Sequence, residues 1–160
     1  MKKLKLNLAG IFLAAFLFAG FSQSSQLYAQ SNVVTVQSTK SYDETVSEIR
    51  TLIAKNGMMV LAEINQGKIL SMTGLKMNGE SLFVGNPQIG KKIFSQDLGA
   101  GLAVPVRLNI YEGKDGKTYV NYTKPSAKLA SFNNKMIDKI GMMLDKKLSM
   151  LTGMIAKSAM

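Results

Sequence analysis

The sequence predicts an α+β fold: a strand, a helix, four antiparallel strands with a short inserted helix, and a long C-terminal helix. Three observations carry that prediction. A β-branched run is followed at once by a helix-capping box. The middle of the chain holds apolar segments broken by turn residues, and one of them alternates strictly. The C-terminal segment returns to a helical period. With 160 residues, 46% of them hydrophobic, the chain is long enough for one domain with its own core.

The first stretch stands apart from that fold. Lys2, Lys3 and Lys5 precede an apolar run from Leu6 to Phe21, and a polar stretch then leads to Leu27-Tyr28-Ala29. This is the pattern of a cleavable export signal over residues 1–29, with residues 30–160 as a single domain. The apolar run is shorter than the roughly 20 residues that span a bilayer, so no stable membrane span is expected after cleavage. The expected location is the periplasm or the exterior. Removing 29 of 160 residues leaves 131, and losing three lysines takes the net charge from +10 to +7.

Val33 to Val36 is the first predicted strand. Ser41 and Glu44 then form the capping box of a helix over 42–55, with Val46, Ile49 and Ile53 on one face and Asn56-Gly57 as its stop. Met58 to Ile64 reads as a strand ending in a turn at Asn65-Gln66-Gly67, and Ile69 to Leu75 fits either strand or short helix. Glu80 to Gly85 is a further strand. Asn86 and Pro87 start the inserted helix as N-cap and first helical residue, and Gly99-Ala100-Gly101 is expected to end it. Val104–Tyr111 and Tyr119–Thr123 pair as a hairpin whose Asp115-Gly116 supplies positive φ. From Phe132 to Lys157, Ile137, Ile140, Leu144, Leu148, Leu151 and Ile155 form the stripe of a long helix that must cover the sheet.

The central block resembles the domain of unknown function 302 family. The residues that carry the likeness are Phe83-Val84-Gly85-Asn86-Pro87-Gln88-Ile89-Gly90, Val104-Pro105-Val106-Arg107, and Tyr111-Glu112 with Asp115-Gly116-Lys117-Thr118-Tyr119-Val120 and Tyr122-Thr123-Lys124-Pro125. The resemblance implies a strand, a helix, four antiparallel strands and a final helix, in a layout similar to that of the TATA-binding protein. It implies no activity, because a fold hosts many functions. Many relatives have Asp-His where this chain has Asn65-Gln66, and Gly-Thr where it has Gly90-Lys91.

Composition narrows the chemistry. There is no His, Cys or Trp, which excludes a Ser-His-Asp triad, a thiol nucleophile, a disulfide and ordinary zinc or haem ligation. No cofactor, no metal ligand set and no catalytic residue is assigned. Gly85, four residues, then Gly90-Lys91-Lys92 imitate a phosphate loop, but Lys92 stands where Ser or Thr must hold Mg²⁺. What remains is a candidate ligand-binding turn of Gly85, Asn86, Pro87, Gly90, Lys91 and Lys92 at a helix start, suited to a small anion. An apolar ligand is expected instead on the sheet under the last helix.

Six of the 11 methionines lie from Met136 onward. They read as flexible filler for a core or a homodimer contact. Cu(I) handling through Met150 and Met154 is a weaker alternative. Glu63, Glu80, Glu112 and Asp115 are the carboxylates of a hydrolase-type alternative using carboxylate, Tyr or Lys groups, and their spacing places no two of them together. Tyr119, Tyr122, Arg107 and Lys124 lack the continuous basic stripe of a nucleic-acid surface, so no nucleic-acid partner is expected. The sequence therefore points to a non-enzymatic exported domain that binds a small ligand or a protein partner, as a homodimer.

Overall fold

The computed structural model of this chain describes residues 32–156. The expected export signal lies outside them. Among the described residues five strands form one antiparallel sheet: β1 (Val33–Gln37), β2 (Met59–Asn65), β3 (Gly79–Gly85), β4 (Val106–Glu112) and β5 (Thr118–Thr123), in the spatial order β1-β5-β4-β3-β2. The helices are α1 (Tyr42–Lys55), α2 (Gln66–Ser71), α3 (Pro87–Phe94), α4 (Pro125–Leu129) and α5 (Lys135–Ala156). The predicted α+β order of strand, helix, four antiparallel strands and long final helix is the order observed.

Strand alternation explains why α1 and α5 share one face. Val84, Leu108, Ile110, Val120 and Tyr122 point to the helices and meet Ile49 and Ile53 of α1 and Leu148, Leu151 and Ile155 of α5 in one core. The stripe read from the sequence is buried along its whole length, from Ile137 to Ile155. Its first half serves a second cluster, where Ile137, Ile140 and Leu144 pack with Ile93 of α3, Leu129 of α4, Ala100 and Ala103. One helix thus closes the sheet and also clamps the inserted helix to it.

Several boundaries differ from the expectation, each for a local reason. Asn65-Gln66-Gly67 opens α2 rather than a turn, because the Asn65 side chain accepts the Lys68 N–H at 2.7 Å as an N-cap. The ambiguous stretch after it is helical to Ser71. The inserted helix ends at Phe94, before the expected Gly99-Ala100-Gly101, which lies in a separate 3-10 turn over Leu98–Leu102 capped by Asp97. β4 begins at Val106 rather than Val104, since Pro105 has no N–H to give a ladder. α5 starts at Lys135, three residues late. Asn133 sits at φ 50° and Asn134 caps Met136 and Ile137, so the chain turns before the helix begins. The short α4 was not expected. Its Ser126 backbone N–H and hydroxyl both donate to the Asp145 carboxylate of α5.

Candidate functional site

The Gly85–Lys92 turn forms one wall of a cleft of about 330 Å³. β3 ends at Gly85, and Asn86 reverses the chain into α3. The Asn86 Oδ1 accepts the N–H groups of Gln88 and Ile89 at 2.8 and 3.0 Å, and its carbonyl accepts that of Gly90 at 2.8 Å. Pro87 has no N–H. The first turn of α3 is thus satisfied by its own cap, and the helix's two lysines, Lys91 and Lys92, stand in its last turn rather than at the helix start the sequence suggested. The Asn86 Nδ2 also donates to the Gly57 carbonyl at 2.6 Å, which ties this turn to the end of α1.

Opposite the turn, Leu144 and Leu148 of α5, Met58 just before β2, Leu61 within it, and Val104–Val106 complete the cleft. Gly85, Asn86, Pro87, Gly90 and Lys91 all line it, and Lys92 does not. Among the described residues, Lys91 is the only charged residue of the lining and Asn86 the only other polar one. The turn suited to an anion and the apolar face under α5, read from the sequence as two separate places, border a single hollow. No spacing rule could reveal this, because α3 returns over the sheet only through its packing on α5.

The carboxylates behave differently from the expectation that none come together. The β2–β3 register opposes Asn65 to Glu80 and Glu63 to Leu82, which puts Glu63 and Glu80 on the helix-covered side of neighbouring strands. Arg50 of α1 reaches both, with its Nη1 2.7 Å from Glu63 and its Nη2 on Glu80. A bulge at Leu61, between Val60 and Ala62, sets that phase. Tyr42 stands beside this group, with its hydroxyl buried and without a partner among the described residues. Burial first, and then the Glu80 charge, push the Tyr42 pKa above its ordinary value. Both carboxylates are held by one guanidinium, so the arrangement fastens α1 to the β2–β3 edge and leaves neither as an unpaired base.

Glu112 accepts from Asn78 at 3.3 Å, and Asp115 accepts from the Tyr119 hydroxyl at 2.7 Å and the Lys117 N–H at 3.2 Å in its turn. Asn65 and Gln66 both have structural partners. Asn65 caps α2, and the Gln66 amide donates to Ser81. Met136, Met143, Met150 and Met154 share one half-exposed stripe of α5, about a quarter-turn from the buried one. Within it only Met150 and Met154 are one helical turn apart. Among the described residues no helix is long and apolar enough to cross a membrane.

The comparisons with known proteins agree with the fold. A crystal structure of a conserved DUF302 protein from Bacillus stearothermophilus superposes with a TM-score of 0.71 at 22% identity, over 77% of this chain and 97% of that one. Two fluoride-specific ion channel proteins, FluC 1 of Brucella suis biovar 1 (strain 1330) and FluC 1 of Brucella abortus biovar 1 (strain 9-941), are each 29% identical over 97 residues. That match covers 60% of this chain, and it spans only 38% and 36% of those two relatives. The family model described as domain of unknown function DUF302 matches residues 34–157, and the chain belongs to that family.

Proposed function

We propose that this chain is an exported, non-enzymatic binding domain whose cleft between α3 and α5 takes an apolar ligand with an anionic end. One observation carries the reading. Among the described residues the cleft is lined by apolar side chains apart from Asn86 and Lys91, so a hydrocarbon body is favoured inside it with one cation in that lining. The volume, about 330 Å³, suits a small molecule or a short acyl chain. Arg50 engages both Glu63 and Glu80, which supports binding over acid/base catalysis at that group.

Calorimetric titration with dodecanoate and with dodecanol tests it. Dodecanoate is expected to bind saturably, and Lys91→Ala should erase its advantage over dodecanol. Gly90 lies in the cleft wall with nothing nearer than Phe94 at 4.0 Å from where a Cβ would stand. Gly90→Leu should therefore fill the hollow and weaken binding about tenfold or more, while helix propensity keeps the fold at least as stable. Absence of saturable binding by either probe would overturn the reading.

The half-exposed Met136, Met143 and Met150 favour a homodimer through α5 as the second element of the reading. Light scattering should give twice the monomer mass, and Met143→Lys should halve it. The location rests on the residues 1–29 pattern. N-terminal sequencing of the secreted chain should begin at Gln30.

A further inference from the structure

A second hollow lies on the other flank of β4, with Val106 as the only lining residue it shares with the α3 cleft. The β4–β5 ladder runs from Glu112↔Thr118 to Asn109↔Asn121 and stops there, although β4 reaches back to Val106 and β5 on to Thr123. The hollow, about 370 Å³, opens where that pairing ends, between Arg107, Asn109, Asn121 and Thr123, with Lys128 of α4 at its side. Among the described residues its lining contains two cations, Arg107 and Lys128, and no carboxylate.

The hydrogen bonds on this face have a direction. The Ser81 hydroxyl accepts from Gln66 Nε2 and from Arg107 Nε at 2.8 Å, so its one proton goes to Asn109 Oδ1 at 3.3 Å. Asn109 must then donate through Nδ2, and it does so to Asn121 Oδ1 at 3.1 Å. With its oxygen engaged, Asn121 presents its Nδ2 as the free end of the chain. Arg107, held by Nε, keeps both Nη groups without a partner among the described residues, and so does the Lys128 ammonium. Every free polar group aligned by this network is a donor. Such a set matches an oxyanion, which Arg107 can take with two parallel bonds.

We propose that this hollow is a second binding site, independent of the α3 cleft, for a small oxyanion of the carboxylate or phosphate kind. Arg107 grips it, Asn121 Nδ2 and the Thr123 hydroxyl add directional bonds, and Lys128 supplies the second charge. Ser81 and Asn109 act as positioning residues, fixing which end of each neighbour faces the ligand.

The test is a ¹H–¹⁵N NMR titration of the full chain with inorganic phosphate and, separately, with malonate, against chloride at matched ionic strength. The Arg107 Nε–H and Asn121 side-chain amide signals should shift saturably with one or both anions, with a midpoint below about 10 mM. The anion with the lower midpoint identifies the source. Arg107→Gln should raise the midpoint about tenfold and Lys128→Ala about threefold. Asn121→Asp keeps the acceptor that Asn109 needs but replaces the free donor with a carboxylate, and should abolish saturation while the spectrum stays folded. Lys114→Ala, which removes an exposed lysine at the far end of the β4–β5 hairpin, should leave the midpoint unchanged. Shifts linear in anion concentration, shifts equal in chloride, or a midpoint indifferent to both Arg107→Gln and Asn121→Asp would overturn the proposal.

Discussion

The two faces of the sheet are built from the same strands and obey different rules. Toward α1 and α5, Val84, Leu108, Ile110 and Val120 are buried among aliphatic side chains, and their contribution scales with the apolar area removed from water. Toward the other side, the residues between them are Ser81, Arg107, Asn109, Asn121 and the stacked pair Tyr111–Tyr119, whose rings lie 5.5 Å apart. Here side chains engage one another by hydrogen bonds, which contribute little net stability but fix orientation. The covered face holds the fold, and the open face holds donors in place. Changes on the first should therefore appear first in stability and changes on the second in oxyanion binding.

The sharpest break of that division is Leu148→Ala. Leu148 lies in the main core at 1% exposure and also lines the α3 cleft. Truncating it should cost about 2–5 kcal/mol in urea unfolding, from lost burial plus the cavity left behind. It should also enlarge the cleft, yet leave the Arg107 and Asn121 NMR signals where they are. Movement of those signals would mean that the faces are coupled through β4.

Gly141→Val acts next, and from the covered side onto the open one. A Cβ at Gly141 would stand 2.8 Å from the Ser126 Cα, so α4 must shift away from α5. The expected cost is about 1–3 kcal/mol. Because α4 carries Lys128, the oxyanion site should weaken with it, while dodecanoate binding in the α3 cleft persists. A loss confined to stability would separate α4 from the open hollow.

Asn109→Ala should cost less, about 0.5–1.5 kcal/mol, since it removes two side-chain hydrogen bonds from a half-buried position. Its larger effect should be on orientation. Asn121 would lose the partner that occupies its oxygen, and the phosphate or malonate midpoint should rise severalfold.

Legibility in the sequence follows the same division. The helix-covered face could be read ahead of the structure because burial leaves a period. The stripe of α5 and the Ile49–Ile53 face of α1 show directly in residue spacing, and Ser41–Glu44 and Asn86–Pro87 mark helix starts by local chemistry. α4 escaped notice because its N-cap is Lys124, which carries no capping signal, and its anchor is Asp145 in a later helix. The Arg50–Glu63–Glu80 group and the Ser81–Asn109–Asn121 line escaped for another reason. Each depends on strand register, and register at Glu63 depends on one bulged residue, Leu61. The turn at Gly85–Lys92 was visible as a motif, but its partners across the cleft come from α5, more than fifty residues later.

The smallest effect belongs to the far end of the open face, where the β4–β5 turn is closed by Asp115. Gly116 holds φ at +73°, so the reversal there is made by the backbone. The Asp115 carboxylate adds a hydrogen bond from Tyr119, and that bond is the first cause lowering its pKa below the ordinary 3.8, with the Lys117 N–H second. A carboxylate whose folded pKa is depressed stabilises the folded state above its unfolded value, and that stabilisation is lost as pH falls through the lower folded one. Asp115→Asn should accordingly lower the melting temperature slightly near neutral pH, and the difference from the parent chain should vanish in strong acid. The same bond raises the Tyr119 pKa above 10.0, so the variant should bring Tyr119 back toward that value, as read by phenolate absorbance. Because the group is solvent-exposed, salt should shrink both effects. The covered-face losses, made of apolar burial, should not shrink with salt, and that contrast is an independent measure of how differently the two faces are held.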